Sequence, residues 1–296
     1  MERSLRSRIS TLLRTNVVNT SAVHRGYSGA GRFVVALADG SSCFVKVGWT
    51  GPTRDMLRAE ARFYQTFQSD FTPLLLAFED DADQPVLVLE DLSNADWPPP
   101  WAAEEIERTL ATLKRVARST PPKHLPSLEE HRAGLSGWEQ VEQQPALFLD
   151  LGLVTPGWLE QALPALKEAS SRAVLDGSAL LHFDVRSDNL AFLSDRTVLV
   201  DWSSAVIGNP LLDVVAWLPS LYLEGGPAPE NFVGAEAVEL VALVAGYWVS
   251  QAGQPTIEHA PQVRLVQRAH LEVALPWAAR LLHLPQPDIT LRTNDP

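Results

Sequence analysis

The pattern of apolar residues changes near residue 93, and this change limits the folds open to the chain. Before it, runs typical of strands and one helical run follow in the order strand, strand, helix, strand, strand. These runs cover residues 32–37, 42–47, 53–67, 74–78 and 85–89. After it, nearly all periodic segments are helical. We therefore predict an α+β fold with two lobes, a β-rich N-lobe over residues 1–93 and a mainly helical C-lobe over residues 94–296.

Two further segments complete the predicted elements. Residues 1–20 carry four arginines and predict a short amphipathic helix on the surface. Turn residues at 38–40 predict a hairpin between the first two strands. The helices expected in the C-lobe cover residues 102–118, 158–175, 211–223, 235–250 and 263–284.

Composition excludes several classes of protein. The 296 residues hold 24 basic and 36 acidic side chains, a net charge of −12, whereas a general nucleic-acid binder needs a basic footprint. The single cysteine, Cys43, excludes an intrachain disulfide and a cysteine zinc cluster. The chain has no apolar segment long enough to span a bilayer, and its N-terminus has no apolar signal region. We expect a cytoplasmic protein that binds neither nucleic acid nor membrane.

The acidic residues are concentrated in the second part of the chain. Up to Ser93 there are 10 basic and 11 acidic residues, and from Asn94 onward there are 14 and 25. The net charges are therefore −1 and −11. This imbalance has two interpretations: an ordinary solvated surface, or a field that concentrates a cationic ligand.

One polar motif indicates phosphoryl transfer. His182, Asp184 and Asn189 form the pattern His-x-Asp-x-x-x-x-Asn between two short apolar runs, and Asp201 follows at the end of the next run. Transfer of a phosphoryl group needs a carboxylate that orients the attacking hydroxyl. It also needs an amide oxygen and a carboxylate to hold Mg²⁺ on the nucleotide phosphates. The alternative is a chance polar loop, which the downstream aspartate makes harder to sustain.

A buried ion pair is predicted between Lys46 and Glu60. Glu60 lies in the middle of the apolar face of the helical run 53–67. A carboxylate in that position is costly unless it is paired. Lys46, in the strand just before this helix, is the natural partner.

The motif resembles the aminoglycoside phosphotransferase family, whose members are protein-kinase-like enzymes that phosphorylate small molecules. The resemblance continues into residues 208–213, similar to a Gly-Asp-Pro-x-x-Asp segment, where Asp213 would start a helix and buttress the catalytic loop. It implies that Asp184 is the catalytic carboxylate, that Asn189 and Asp201 bind Mg²⁺, and that Lys46, fixed by Glu60, holds the α- and β-phosphates. Phe183 departs from the family, which usually has a small residue there.

The resemblance also implies a nucleotide site. The glycine-rich turn around Ser28 and Gly29 is similar to the phosphate-binding turn of the family, although an ordinary flexible turn would look the same. Backbone groups of residues 90–92, from Glu90 to Leu92, would bind the purine edge, which leaves ATP and GTP undistinguished. Arg186 would contact the transferring phosphate or form a structural salt bridge, with Asp188 and Glu224 as the candidate partners.

We therefore predict an O-phosphotransferase that depends on Mg²⁺ and on ATP or GTP and acts on a small-molecule hydroxyl, such as that of an antibiotic in a resistance enzyme. The alternatives are a metabolic kinase for choline, an amino sugar or a nucleoside-like acceptor, and a nucleotide-binding pseudokinase. Aromatic and acidic residues after Asp201 are candidates for the acceptor site, with core packing as the other interpretation: Trp202, Trp217, Tyr222, Glu224 and Trp277.

Overall fold

Two compact units make up the chain in the computed structural model, which describes residues 1–23, 29–257 and 262–289. The first unit combines Met1–Leu125 with His182–Val206, and the second combines Pro126–Leu181 with Ile207–Pro296. The segment that carries the catalytic motif therefore groups with the N-terminal sheet. The predicted lobe boundary at Ser93 stays a prediction. None of the helices within the described ranges has both the length and the apolar character of a membrane-spanning segment.

A five-stranded antiparallel sheet forms the centre of the first unit. Its spatial order is β1-β2-β3-β5-β4. The strands are β1 (Val17–Ala22), β2 (Gly31–Leu37), β3 (Ser42–Val47), β4 (Leu75–Glu79) and β5 (Val86–Glu90). Four of the five were predicted to within about one residue at each end, and Gly40, with φ 87°, provides the left-handed residue of the predicted hairpin turn.

The helix expected over residues 1–20 is wrong in its second half. Helix α1 spans Arg3–Leu13 and ends where Arg14 takes a left-handed conformation. The chain then forms β1, which starts with two β-branched valines and pairs with β2. Leu5 and Ile9 of α1 are buried against the sheet and extend its core.

The sheet has two chemically different faces because successive side chains alternate. Phe33, Val35 and Leu37 of β2 point to the face that α1 covers, where they pack with Val45 of β3 and Val88 of β5. The intervening residues of β2 are half-buried. This second face carries the polar residues of the candidate site.

Helix α2 (Gly51–Thr66) begins at a capping box. The Thr50 hydroxyl accepts a hydrogen bond from the Thr53 N–H, and Pro52 occupies the first turn, where no intrahelical donor is needed. The remaining elements of the first unit are α3 (Ala103–Arg118), β7 (Leu190–Phe192) and β8 (Thr197–Leu199), the last two paired as a hairpin.

The second unit is mainly helical. It contains α4 (Arg132–Leu135), α5 (Gly137–Gln143), α6 (Pro145–Leu149), α7 (Pro156–Arg172), α8 (Leu211–Leu223), α9 (Val238–Ala252) and α10 (Gln262–Leu281), with the short strands β6 (Ala179–Leu181) and β9 (Val206–Gly208). The β-sheet N-terminal region and the helical C-terminal region together confirm the predicted α+β class. The helices α4 to α6, β7 and β9 were not predicted, because such short elements show too few periods.

Helix α9 forms the core of the second unit and packs against α5, α7 and α10. Trp138 of α5 approaches so closely that a Cβ at Gly246 would lie 2.6 Å from the indole. Two of the aromatic candidates for the acceptor site, Trp217 and Trp277, are completely buried in this unit. Core packing, the other interpretation, therefore accounts for both.

Candidate active site

The loop that carries the motif is held together by its own side chains. The Asn189 side-chain amide donates hydrogen bonds to the Asp184 backbone oxygen at 2.9 Å and to Asp184 Oδ2 at 3.1 Å. Asn189 also accepts through its backbone oxygen from the Val200 N–H. The structure therefore brings together two of the predicted site residues and fixes the orientation of the Asp184 carboxylate.

Left-handed backbone occurs at two residues of this region. Phe183, directly before Asp184, has φ 63°, and Asp201 has φ 65°. Aspartate tolerates this conformation better than a bulky residue does, and glycine tolerates it best. A glycine would suit this backbone at position 183, whereas Phe183 adopts it at a steric cost.

Lys46 and Glu60 form the predicted buried ion pair. Lys46 Nζ lies 2.6 Å from Glu60 Oε2 and 3.2 Å from Asp201 Oδ1. The Tyr64 hydroxyl donates to the other oxygen of Glu60 at 3.3 Å. Glu60 is only 1% exposed. The pairing prediction is confirmed, and Asp201 joins Lys46 as a second carboxylate.

Charge and burial act in opposite directions on these groups. Burial alone would disfavour the charged ammonium of Lys46, but Asp201 and Glu60 outweigh it and raise the pKa of Lys46. Burial also opposes ionisation of Asp201, and here the nearby Lys46 and Arg32 outweigh it, so the pKa of Asp201 is lowered. Both groups therefore keep their charge at neutral pH.

Aromatic packing fixes α2 to the segment after Asp201. The Trp202 ring stacks on Phe63 with a centroid distance of 4.4 Å and an interplanar angle of 6°. The indole N–H of Trp202 donates to the Leu199 backbone oxygen at 2.8 Å. Trp202 is 1% exposed. It packs in the core beside Asp201, so the interpretation of Trp202 as an acceptor contact is wrong.

A cavity of about 770 Å³ lies against the polar face of the sheet, within the first unit. Most of the predicted site residues line it: Lys46, Glu60, Glu90, Leu92, Asp184, Arg186, Asn189 and Asp201. Apolar side chains of Val34, Phe44 and Leu89 line it as well. The Glu90 carboxylate forms an ion pair with Arg196 and accepts the Leu74 N–H at 3.1 Å, so its side chain is already engaged.

Two of the predicted nucleotide-binding residues, Ser28 and Gly29, belong to the glycine-rich turn. Ser28 lies outside the described residues. Gly29 is described but is not among the residues that line the cavity. The assignment of both residues to nucleotide binding stays a prediction.

Arg186 forms the predicted alternative contact with Asp188. Its guanidinium donates to both carboxylate oxygens of Asp188, at 3.1 and 3.2 Å, and lies 3.5 Å from Asp184 Oδ1. Burial raises the pKa of Asp184, and Arg186 offsets part of that effect. Asp188 is a cavity residue that the sequence interpretation noted only as a partner for Arg186.

The donor atoms suit a hard divalent cation. Asn189 and Asp201 offer amide and carboxylate oxygens, the ligand types that Mg²⁺ prefers. Among the described residues, no group of three or more histidine, cysteine or acidic side chains is arranged to hold a metal. Mg²⁺ typically uses one or two carboxylates together with substrate phosphates and water, so this sparse donor set fits it.

Arg32 is a site residue that the sequence interpretation missed. It lies on β2 directly opposite Lys46 and lines the same cavity. An arginine that alternates with the core residues Phe33 and Val35 in a strand was the available signal. Its significance depends on the register of the hairpin, which the sequence indicates only approximately.

Comparison with known folds gives several likenesses at low sequence identity. A spectinomycin phosphotransferase in complex with ADP and spectinomycin has a TM-score of 0.57 and 11% identity, covering 100% of this chain and 91% of that one. An amicoumacin kinase in complex with AMP-PNP, Ca²⁺ and Ami has a TM-score of 0.56 and 11% identity, with coverages of 92% and 93%. A choline/ethanolamine kinase family protein from Mesorhizobium loti has a TM-score of 0.52 and 16% identity, with coverages of 87% and 92%. These likenesses show the kinase-like fold.

Sequence comparison identifies the family. No curated protein sequence matches the chain. The family model described as "Phosphotransferase enzyme family" matches residues 19–241, which is well over half of the chain and includes the cavity residues on both sides of the motif. The chain therefore belongs to this phosphotransferase family and is a small-molecule kinase with a hydroxyl group as acceptor.

Proposed function

We propose that this chain transfers the γ-phosphoryl group of a nucleoside triphosphate to a hydroxyl of a small molecule, with Mg²⁺ as cofactor. The observation that carries the proposal is the set of four side chains on one cavity: Lys46, Asp184, Asn189 and Asp201. A fixed cation, a fixed carboxylate and two oxygen donors are what phosphoryl transfer requires of a protein.

The cation of the site is Lys46. Its raised pKa keeps it protonated, and Glu60 holds the ammonium at 2.6 Å in the cavity wall. In the proposed complex Lys46 binds the α- and β-phosphate oxygens. Glu60 and Tyr64 act through Lys46: Glu60 pairs with its ammonium, and the Tyr64 hydroxyl donates to Glu60.

Asp184 orients the acceptor and takes its proton. The acceptor oxygen forms a bond to the γ-phosphorus while the bond from that phosphorus to the bridging oxygen breaks. The electron pair of the broken bond leaves with the nucleoside diphosphate, and the hydroxyl proton passes to the Asp184 carboxylate. Its raised pKa brings this carboxylate closer to working pH and so suits it to accept a proton.

Asn189 and Asp201 would hold Mg²⁺, which, when bound, neutralises charge on the phosphate oxygens. The Asn189 amide also donates to Asp184, so the same residue connects the proposed metal ligands to the proposed base. Arg186 lies between Asp184 and Asp188 and would contribute positive charge next to the transferring phosphoryl group.

The acceptor is proposed at the level of its class. Structures with the same fold include antibiotic phosphotransferases and a choline/ethanolamine kinase family protein, and some of them contain ADP or AMP-PNP. An antibiotic acceptor, as in a resistance enzyme, is therefore the first candidate. A metabolite with a hydroxyl group, such as an amino alcohol or an amino sugar, is the second.

The test is an acceptor panel with mass readout. The protein is incubated with ATP or GTP and Mg²⁺ together with hydroxyl-bearing antibiotics and metabolites, beside a sample in which the metal is chelated. We expect one class of acceptor to gain a phosphoryl group only where Mg²⁺ and nucleotide are both present. Stabilisation by nucleotide and Mg²⁺ without consumption on a broad panel would favour a pseudokinase, and no stabilisation would contradict nucleotide binding.

A further inference from the structure

Two positive side chains lie side by side on the hairpin formed by β2 and β3. In the antiparallel pair of β2 and β3, Arg32 lies directly opposite Lys46, and directly opposite residues share a face of the sheet. Both side chains line the cavity. Arg32 is half-buried, and its guanidinium donates to the Ala30 backbone oxygen at 3.4 Å.

The neighbouring pair on the same face is apolar. Val34 lies opposite Phe44, two residues along each strand, and Phe44 lies opposite Leu89 of β5. All three line the cavity. Over two residues along each strand, the cavity wall therefore changes from an apolar pair to a pair of cations. Such a wall matches a ligand that has an apolar part next to an anionic part.

Arg32 adds a second positive charge beside the ion pairs of Lys46. Like charges directly opposite each other destabilise a sheet. Arg32 acts against the protonation of Lys46 and favours the ionised form of Asp201, so all three charges lie in one small region. The two cations and the carboxylates of Glu60 and Asp201 therefore form one charge cluster, and Arg32 and Lys46 both line the cavity.

We propose that Arg32 is a second phosphate-binding residue. It contacts the triphosphate chain of the nucleotide from β2, while Lys46 contacts that chain from β3. Its planar guanidinium forms paired hydrogen bonds with phosphate oxygens, which an ammonium group cannot do. The inference rests on the proposed function, because it assigns a role within the same cavity.

The experiment separates the phosphate from the nucleoside. Affinities for the triphosphate that the wild type prefers and for its nucleoside are measured by calorimetry with Mg²⁺ present. In Arg32→Gln we expect triphosphate affinity to fall by about 10-fold to 100-fold, as for the loss of hydrogen bonds to a charged group. Nucleoside affinity should not change. Arg32→Lys keeps the charge without the fork and should show a smaller loss.

The matched control is Arg62→Gln, which removes the same charge from an exposed position on α2 and should bind the triphosphate like the wild type. Equal triphosphate affinity in Arg32→Gln and Arg62→Gln would overturn the role of Arg32 and leave the proposed function standing. An equal loss of affinity for nucleoside and triphosphate would overturn this role too. It would mean that Arg32 supports the shape of the apolar wall and does not contact phosphate.

Thermal unfolding of the nucleotide-free variants checks that both are folded. If Arg32→Gln does not fold, the comparison of Arg32→Lys with the wild type decides: triphosphate binding must weaken while nucleoside binding does not. A wild type that binds no nucleoside triphosphate would overturn the proposed function and this inference together. An Arg32 substitution without effect on triphosphate affinity would overturn this inference only.

Discussion

Phe183 connects the backbone geometry of the loop to its chemistry. It holds a left-handed conformation, φ 63°, next to the proposed base Asp184. Such strain is found where surrounding structure fixes the backbone, often at functional sites. Phe183 therefore keeps a conformation that a bulky side chain disfavours.

Phe183→Gly should be more stable than Phe183→Ala. Both variants lose the same ring, so the difference between them reports the left-handed backbone, which costs an L-residue about 1–2 kcal/mol. We expect the free energy of unfolding of the glycine variant to exceed that of the alanine variant by about 1 kcal/mol, measured by urea denaturation. Equal stability of the two would show that position 183 carries no such strain.

Asp184 should set the acidic limb of the pH profile. Its pKa is raised above the usual value of about 3.9, and a base must be ionised, so activity is lost as pH falls through the raised value. The raised pKa also means that the folded state prefers the neutral carboxyl, and the ionised group at neutral pH costs stability. Asp184→Asn should therefore unfold at the same temperature as the wild type or higher at pH 7.

The two measurements have a common control. The exposed Asp195, in the turn between β7 and β8, can be changed to asparagine with the same loss of charge. Asp195→Asn should leave the acidic limb in place. An acidic limb of the wild type within or below the ordinary aspartate range would contradict the proposed environment of Asp184.

At the scale of elements, the Lys46–Glu60 pair connects β3 to α2. Removal of one partner from a buried ion pair costs about 3–5 kcal/mol, because the other charge is left uncompensated. Lys46→Met should therefore destabilise the fold more than Glu60→Gln, which leaves Lys46 with Asp201. The double variant should lose less than the sum, with a coupling of about 1–3 kcal/mol in denaturant unfolding.

An exposed ion pair between the same helix and the turn after β4 gives the comparison. Arg58 and Asp80 lie 2.7 Å apart, and the Asp80 side chain is 57% exposed. A cycle of Arg58→Gln and Asp80→Asn should give a coupling of about 0–1 kcal/mol. Equal couplings for the two pairs, or additivity at Lys46 and Glu60, would mean that the buried pair does not hold α2 against the sheet.

The sequence predicted a contact where one residue requires a particular partner and a nearby element offers it. Glu60 in an apolar helix face requires a cation nearby, and the strand just before it has one. β1 was missed because a short strand with four of its six residues exposed has no periodic signal that distinguishes it from a helix end. Trp202 was placed near the acceptor because the residue type alone does not show whether a side chain packs in the core or faces the cavity. Arg32 was missed because its neighbour across the strands depends on register.

At the scale of the whole molecule, the acidic charge after Ser93 predicts how the acceptor associates. If its field concentrates a cationic acceptor, kcat/KM for that acceptor should fall steeply with salt. The screening length shrinks from about 10 Å at 0.1 M to about 3 Å at 1 M ionic strength. The salt dependence of nucleotide binding is measured separately, because the nucleotide is anionic. A neutral or anionic acceptor whose kcat/KM does not change with ionic strength would show that the acidic charge after Ser93 serves solubility.

The central claim is that Asp184 accepts the proton of a hydroxyl that receives the γ-phosphoryl group. The most direct measurement compares wild type, Asp184→Asn and Asp195→Asn for turnover of the acceptor found in the panel and for affinity toward the nucleotide. We predict that Asp184→Asn loses about 10²-fold to 10⁴-fold in turnover with unchanged nucleotide affinity, while Asp195→Asn matches the wild type in both. Near-normal turnover in a folded Asp184→Asn variant would contradict the account.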